Sequence, residues 1–321
     1  MEDFNVYLLN NIKRRILLKQ NNEDELIEII GKTRLSIDDT PGRGLFKDDD
    51  DVRLIQVAMP AAGETSLEVI NSVQAEAEAM DHAWDGARPK PIPMVPDELF
   101  EDDVKQYGNV EKFDQNGILP IGLDYDEVQL VGYDPVEDGN LAVFGNGDRL
   151  YRALQVGLAH ALDLFKQTRV IIFDTDRRLN GSEYPNVNRI VQDDQEIVDA
   201  KDSLAQIFAQ RKDTTKSYKW IYVYITNIDK FKKVTEIDDL SFEQLMTNAN
   251  ERKIAIIYAG LANKFYSGGP YAQYAENALF TQSIGEQTFF NLTTYQKEKP
   301  LEKGQAYLGI DGQIARFKLV D

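Results

Sequence analysis

The spacing of apolar and polar positions divides the chain into three stretches of different character. In the first, Arg15–Lys19 (RILLK) and Val52–Met59 (VRLIQVAM) read as strands, Glu23–Ile30 reads as a helix, and Pro41-Gly42 marks a turn. Glu64–Trp84 has helical composition, with Leu67, Ile70, Val73 or Gln74, and Ala77 stepping along one face before Gly86 ends it. Arg88–Pro96 (RPKPIPMVP) then places four prolines in nine residues. Proline lacks an amide donor and favours extended conformers, so this segment is expected to be a linker and a domain boundary.

The pattern changes from Pro120 onward. Apolar runs at Leu141–Phe144, Val170–Phe173, Ile221–Ile225 and Ile254–Tyr258 alternate with helical stretches, which predicts an α/β fold: a mostly parallel sheet with helices on both faces. The clearest helix follows the first run, where Leu150, Ala153, Leu154, Gly157, Leu158, Ala161, Leu162 and Phe165 step by three and four. Thr288–Asn291, Gln305–Ile310 and Ala315–Val320 return to short strands, separated in part by Lys303-Gly304 and Asp311-Gly312 turns, as antiparallel C-terminal additions. This ending echoes the beginning: Pro41–Leu45 before Leu54–Val57 has the layout of Leu301–Gly304 before Ala315–Val320, with Gly44 and Gly304 as equivalent glycines. The expected organisation is a tandem array cut unevenly, with 1–60 as terminal strands of a preceding module, 61–96 as helix plus proline-rich linker, and 97–321 as a full module.

Composition removes several classes of chemistry. The 321 residues contain no cysteine, which excludes disulfides and thiol nucleophiles, and only two histidines, His82 and His160, outside any ligand-spaced cluster. No metal site is expected, and both histidines are read as packing or surface residues. Lys+Arg 36 against Asp+Glu 54 gives a net charge of −18, which repels a phosphate backbone, so a nucleic acid partner is disfavoured. No run approaches the ~20 apolar residues needed to cross a bilayer, and the opening residues lack the layout of a secretion signal. A soluble piece, not itself exported, is the expectation.

A strand, a glycine-rich loop and a crossover helix aim backbone amides and a helix N-terminus at an anion. Leu141–Phe144 leads into such a loop: Gly145, Asn146, Gly147, Asp148, Arg149, Leu150. A working phosphate loop has G-x-x-x-x-G-K-[ST], with the lysine on the β- and γ-phosphates and the hydroxyl on Mg²⁺. Counted without a gap from Gly145, those two positions hold Tyr151 and Arg152; aligned on the helix they hold Arg149 and Leu150. Either alignment loses the Mg²⁺ ligand, and Asp148 adds a carboxylate where amides should meet phosphate. The other half of such a site is an apolar strand ending in an acid. Trp220–Thr226 (WIYVYIT) fits the strand but ends in Thr226-Asn227, with Asp229 two residues further on as a displaced acid. Tight binding of ATP and Mg²⁺ is not expected; an ordinary βα turn is the plainer reading of a lone Gly-x-Gly.

Four stretches in order carry a family resemblance: Thr40–Leu45 (TPGRGL) with Ile55–Pro60 (IQVAMP), Trp84–Pro96 (WDGARPKPIPMVP), and Leu119–Asp124 (LPIGLD) leading into the Gly145 loop. Together they resemble the FtsK/SpoIIIE-type ATPases, and more closely the EssC-type motors of type VIIb secretion in Gram-positive bacteria, over nearly the whole chain. The resemblance implies a RecA-like P-loop NTPase fold and three tandem ATPase modules, the last opened by Leu119–Asp124. It also implies a place on the cytoplasmic side of the cell membrane, as the soluble part of a membrane-anchored protein. The implied substrates are secreted small helical proteins of the WXG100 type, recognised through a C-terminal signal. No matched position holds the phosphate lysine, the hydroxyl or the metal-binding acid, so the resemblance carries position and not chemistry.

The expected function is therefore a degenerate ATPase module that binds or regulates secretion substrates and neighbouring ATPase modules. Phe265, Tyr266, Tyr271 and Tyr274, in Lys264–Tyr274 (KFYSGGPYAQY), are candidates for the partner surface; the competing reading is a loop with core-facing aromatics. Arg43 is a candidate trans arginine for a neighbour's nucleotide, against a plainer role in a turn and salt bridge. The acidic run Asp48–Asp51 reads as a solvated hairpin tip. The alternative function is an ATPase with Arg149 in place of the lysine and Asp229 in place of the acid; a DNA translocase ranks last.

Overall fold

The computed structural model describes residues 12–19, 23–89, 92–213, 216–291, 298–310 and 312–320. The chain separates into two compact units, Met1–Lys90 and Pro91–Asp321.

The first unit is built on an antiparallel sheet of order β1-β2-β3, formed by β1 (Arg14–Leu18), β2 (Arg43–Asp48) and β3 (Asp51–Gln56). Helix α1 (Glu23–Ile30) lies between β1 and β2 in sequence, and α2 (Ser66–Ala83) follows the sheet. Strand β2 carries no alternating pattern that would single it out, and β3 stops at Gln56, three residues before the expected Met59. The acidic run is the hairpin tip: Asp48 pairs with Asp51, and Asp49 turns at a φ of 51°. The buried core is small, with Leu17, Ile30 and Leu45 at its centre. Helix α2 starts at a complete capping box, in which Thr65 accepts from the Glu68 amide and the Glu68 carboxylate accepts from the Thr65 amide, yet it buries no residue.

The second unit holds α3 (Glu101–Val104), α4 (Val110–Asn116), β4 (Leu119–Asp124), β5 (Leu130–Tyr133), α5 (Pro135–Asp138), β6 (Leu141–Gly145) and α6 (Arg149–Asp163). Then come β7 (Arg169–Phe173), β8 (Arg189–Val191), α7 (Asp194–Gln210), β9 (Ile221–Ile225), α8 (Ile228–Thr235), α9 (Asp239–Asn248), β10 (Ile254–Leu261), β11 (Asn277–Phe280), β12 (Gln305–Ile310) and β13 (Gln313–Leu319). Ten strands form one sheet in the order β5-β4-β13-β12-β11-β6-β10-β9-β7-β8. Strands β11, β6, β10, β9, β7 and β8 are mutually parallel; β12, β13, β4 and β5 are antiparallel additions. The strand entering the glycine-rich loop, β6, thus sits between β10 and β11.

Each face of this sheet has its own core. On one, Leu154, Leu158, Ala161 and Leu162 of α6 pack with Leu141, Val143, Tyr222 and Tyr224; on the other, α7, α8 and α9 contribute Leu204, Phe231 and Phe242 against Phe144, Val223 and Ile256. The helical stripe read from sequence is this buried face of α6, and Gly157 within it lets backbone approach closely: a Cβ there would lie 2.7 Å from the Val320 carbonyl oxygen. The expected strand at Thr288–Asn291 does not form. Thr288 makes one bridge to Tyr266, and the neighbouring Phe289 and Phe290 turn into aromatic contacts with Phe144 and Phe280. Asp311, half of an expected turn, lies outside the described residues.

The two units share a motif in detail. Residues 19–42 separate β1 from β2 and residues 281–304 separate β11 from β12, 24 in each case. In the hairpin Lys47 pairs with Val52 as Gly309 pairs with Ile314; the strand before it is one residue out of step, since Leu17 pairs with Leu45 across 28 positions and Leu279 with Leu308 across 29. The turn into the hairpin is the same as well. Arg43 N donates to Thr40 O at 3.0 Å and Val57 N to Gly42 O at 2.8 Å; Gln305 N donates to Glu302 O at 3.1 Å and Leu319 N to Gly304 O at 2.8 Å. Gly42 and Gly304 take φ of 79° and 77°, the left-handed conformation that glycine supplies without a Cβ penalty. The glycine equivalent to Gly304 is therefore Gly42, and not Gly44 as the sequence layout suggested.

Candidate functional site

Gly145 closes β6, and α6 begins four residues later at Arg149. The connection is two residues shorter than G-x-x-x-x-G-K requires, so the helix-based alignment, with Arg149 and Leu150 in the lysine and hydroxyl places, is the one the structure favours. The gapless alternative puts Tyr151 in the lysine place, but Tyr151 is buried inside the first turn of α6 and its hydroxyl accepts from Gln155 Nε2 at 3.3 Å. Burial pushes the Tyr151 hydroxyl well above its usual range, so it stays protonated.

The loop is tightly seated. A Cβ on Gly145 would lie 2.5 Å from Thr281 Oγ1 and 2.7 Å from Tyr151 Cβ, so only glycine fits, and Gly147 turns at a φ of 76°. Asp148 is the N-cap of α6: its Oδ1 accepts from the Tyr151 amide at 2.9 Å, which consumes one of the free amides that would otherwise meet an anion. Asn146 accepts from Gln282 Nε2 at 3.3 Å. Arg149 is exposed at the N-terminus of α6 and makes no ion pair among the described residues.

The end of β9 is committed in the same way. Thr226 is buried; its Oγ1 donates toward Phe173 O and Asp174 Oδ1, and its carbonyl accepts from Gln155 Nε2 at 2.8 Å. Asn227 caps α8 by accepting from the Lys230 amide at 3.2 Å and donates to Asp176 Oδ1 at 3.3 Å. Asp229 turns elsewhere, accepting from the Tyr271 hydroxyl at 2.6 Å, so it is not brought beside Thr226 by any contact.

The carboxylates at this edge come from β7 instead. Asp174, fully buried, accepts from the amides of Arg178 and Leu179 and from Gln192 Nε2 at 2.7–2.8 Å. Asp176 pairs with Lys230 at 2.7 Å and with Arg178 at 3.6 Å, while Arg178 Nη1 also donates to Gln155 Oε1. Gln155, Thr226, Asp174, Asp176, Arg178 and Lys230 therefore form one network across α6, the β7 end and α8, with two cations already beside Asp176 and neutral donors on Asp174. Sequence reading missed all of these but Thr226. The one signal for the acids was VIIFDTD, an apolar run ending in Asp174 as an acid-terminated strand should; nothing local marks Gln155 or Arg178.

The other candidates fall apart from this edge. Phe265 and Tyr271 are core residues: Phe265 stacks on Phe144 with centroids 5.5 Å apart, and Tyr271 packs on Phe265. They are corrected from a partner surface to interior packing, because the turn at Gly268-Gly269 folds them back onto the sheet. Tyr274 is half-buried edge-on against Phe242, and Tyr266 is the exposed member of the four. Arg43 opens β2 and faces Asp38 at 3.7 Å, a pair within its own turn. Hydrogen bonds from Thr40, ahead of the Arg43 charge, hold the Asp38 carboxyl below its usual range. No group of metal-ligating side chains large enough to hold a metal occurs among the described residues. His160 accepts or donates at 2.9 Å to Glu101 and packs on Tyr184.

Comparison with known proteins gives the family context. No family model matches the chain. The chain is 26% identical over 325 residues to the type VII secretion system protein EssC of Staphylococcus aureus (strain MRSA252), covering 98% of this chain and 22% of that protein. It is 26% identical over 342 residues to the ESX secretion system protein EccC of Geobacillus thermodenitrificans (97% and 22%). The chain spans about a fifth of the length of these relatives. Among solved structures, EssC (ATPases 2 and 3) from Geobacillus thermodenitrificans superposes with a TM-score of 0.69 at 22% identity, over 97% of this chain and 61% of that one. Thermomonospora curvata EccC (ATPases 2 and 3) in complex with a signal sequence peptide superposes with a TM-score of 0.51 at 16% identity, over 88% and 53%. The chain thus carries the RecA-like P-loop NTPase fold and is similar, over nearly its whole length, to the EssC and EccC ATPases of type VII secretion.

Proposed function

We propose that the chain is part of a type VII secretion motor in which 97–321 form a module that binds and regulates instead of hydrolysing nucleotide. The observation that carries this reading is the commitment of the site's own polar groups. Asp148 caps the helix that should receive phosphate, and Gln155, Thr226, Asp174, Asp176, Arg178 and Lys230 satisfy one another where phosphate and Mg²⁺ would need open donors and acceptors. The repeated hairpin supports a tandem order, with 1–60 as the closing strands of a preceding module and 61–96 as helix and linker. Attachment to the cytoplasmic side of the cell membrane would come through the parent protein; no helix among the described residues is long and apolar enough to cross a membrane.

The partners we assign are secreted small helical proteins and other modules of the same motor. A groove of about 270 Å³ between α7 and α9, with Leu204, Ala205, Phe208, Ile237 and Leu245 beside Lys201, Glu236 and Asp238, offers a mixed apolar and charged seat for a peptide, which the buried Phe265 and Tyr271 do not. C-terminal peptides of small helical secreted proteins should bind this chain in fluorescence polarisation, and Ala205→Asp, at an exposed position in the groove, should weaken that binding at least about tenfold by burying a charge. Equal affinity for wild type and variant would rule the groove out.

One observation favours the alternative of an active ATPase: Arg149 stands exposed and without an ion pair at the N-terminus of α6. In that reading Asp176, and not Asp229, would be the nearby acid. Calorimetry separates the two. The regulatory reading expects no heat with Mg²⁺ and ATP at millimolar nucleotide, which would end the enzyme reading; micromolar binding lost in Arg149→Ala would end the regulatory one.

A further inference from the structure

Three asparagines gather at the N-terminal ends of the central parallel strands, the end opposite the Gly145 loop. Asn140 directly precedes β6, Asn277 opens β11 in register with Leu141, and Asn250 lies in the turn between α9 and β10. Each spends its amide nitrogen on backbone carbonyls. Asn140 Nδ2 donates to Met246 O at 2.7 Å and to Tyr274 O at 3.0 Å, Asn277 Nδ2 to Asp138 O at 2.7 Å, and Asn250 Nδ2 to Pro135 O at 3.1 Å. Those bonds fix which way each amide points. All three Oδ1 atoms are buried and have no hydrogen-bond partner within the protein. Asn140 is 7% exposed and Asn277 3%. A buried acceptor left unpaired is destabilising, and folded proteins contain few. Of the five such side-chain atoms among the described residues, three are these oxygens.

Beside them opens a pocket of about 270 Å³ with Asn140 and Asn250 in its wall, and Asn277 adjoins its wall residue Glu276. The charged residues of the wall are Glu137, Asp138 and Glu276; no lysine, arginine or histidine among the described residues lines it. Asp138 Oδ2 accepts from the Asp134 amide at 2.8 Å. Glu137 and Glu276 are exposed and form no ion pair among the described residues. The last turn of α9 adds Met246 and Thr247, and with them the negative end of the helix. The pocket thus offers acceptors and negative charge, which a donor-rich cation would satisfy. A bare metal ion fits poorly. No group of three metal-ligating side chains occurs among the described residues, and the volume is more than tenfold the ~10–15 Å³ that one water-sized sphere fills. An ammonium carries three donors on one atom. A guanidinium spreads five over a plane and is more weakly hydrated, which suits acceptors supplied by α5, α9 and the approach to β11.

We propose that this pocket binds a guanidinium group, presented as an arginine side chain of a basic peptide. Tyr274 and Ala275 in the wall give the carbon stem of such a side chain an apolar surface. Free arginine is a poorer occupant, because its own carboxylate would meet Glu137 and Glu276. The pocket shares no lining residue with the groove between α7 and α9 and lies at the other end of β6 from the Gly145 loop. Its occupancy therefore depends neither on peptide binding in that groove nor on nucleotide.

Titration of the peptide acetyl-glycyl-arginyl-glycinamide into the whole chain tests this, followed through the side-chain amide signals of Asn140, Asn250 and Asn277 in nitrogen-edited NMR spectra at about 100 mM salt. These signals should shift and saturate with a Kd on the order of 1 mM. The same peptide with citrulline in place of arginine keeps the shape and loses the charge, and should bind at least about tenfold more weakly. Free arginine should bind at least about threefold more weakly than the peptide. Glu137→Gln/Glu276→Gln should weaken peptide binding at least about fivefold. Asp49→Asn/Asp50→Asn, at the hairpin tip of the first unit, removes as much charge and should leave it unchanged. All four carboxylates are exposed, and backbone amide spectra matching wild type away from the substitutions establish that both variants fold. Absence of saturation by about 50 mM peptide, equal affinity for the citrulline peptide, or equal weakening in the hairpin-tip variant would overturn the proposal. Tighter binding of free arginine would assign the pocket to a small molecule, and the same shifts from Ca²⁺ or Mg²⁺ at lower concentration would assign it to a metal ion; either result overturns it as well.

Discussion

The same three-stranded motif occurs twice in this chain and is stabilised differently each time. In the first unit Ile16, which pairs with Phe46, is 62% exposed; in the second Leu279, which pairs with the Phe46 counterpart Leu308, is fully buried. Val57 is largely open where Leu319 is covered. Turn and hairpin register are shared, so they follow from local chemistry: a left-handed glycine and a closing amide bond. Burial is not shared, because it needs the parallel strand and the helices that only the second unit supplies. Hydrogen-bond geometry can thus be specified over a few residues while hydrophobic stabilisation cannot.

The contrast predicts its largest effect in the core pair. Leu279→Ala should destabilise the second unit by about 2–5 kcal/mol in urea unfolding, whereas Ile16→Ala should cost less than about 0.5 kcal/mol in the first. Similar costs at the two sites would mean that the first unit's sheet is covered in solution. Arg178→Ala addresses the network that the first unit lacks. It removes the partner of the buried Gln155 carbonyl and one of two cations on Asp176, and with Arg178 partly exposed the expected loss is about 1–2 kcal/mol in the urea midpoint. A loss near zero would show the network to be slack and leave room there for nucleotide.

The shared turn should respond alike in both copies. Gly42→Ala and Gly304→Ala each force a side chain into the left-handed region, at a cost of about 1 kcal/mol or somewhat more. Hydrogen exchange should quicken at the amides of Val57 and Leu319 respectively, which those glycines' carbonyls accept. Quickening in one copy alone would break the equivalence. A smaller effect than at the glycines belongs to Thr65→Ala, which removes the capping box of α2 and should cost about 1 kcal/mol at most, read as reduced helical circular dichroism with no change in the second unit.

The central strands were legible because each is a short apolar run bounded by turn residues, and the α6 stripe because its spacing repeats over four turns. Strand β11 was not, since four residues carry no period, and Thr288–Asn291 misled because its aromatics pack inward from a loop. For the site, the altered loop was readable at Asp148, Arg149 and Leu150, but what replaces the missing groups was not. Gln155 meets Thr226 across 71 residues and Arg178 across 23, and no pattern along the chain reports such pairs.

By itself, then, the sequence determined the alternation of strands and helices, the proline-rich break, the hairpin turns and the identity of the loop residues, all of which depend on neighbours within about one turn. The lateral order that puts β6 between β10 and β11, the inward turn of Phe265 and Tyr271, and the closing of the β9 edge by acids from β7 were decided only by tertiary structure. Those outcomes depend on which surfaces meet, and contact between distant segments is set by burial and by the pairing of polar groups that burial demands.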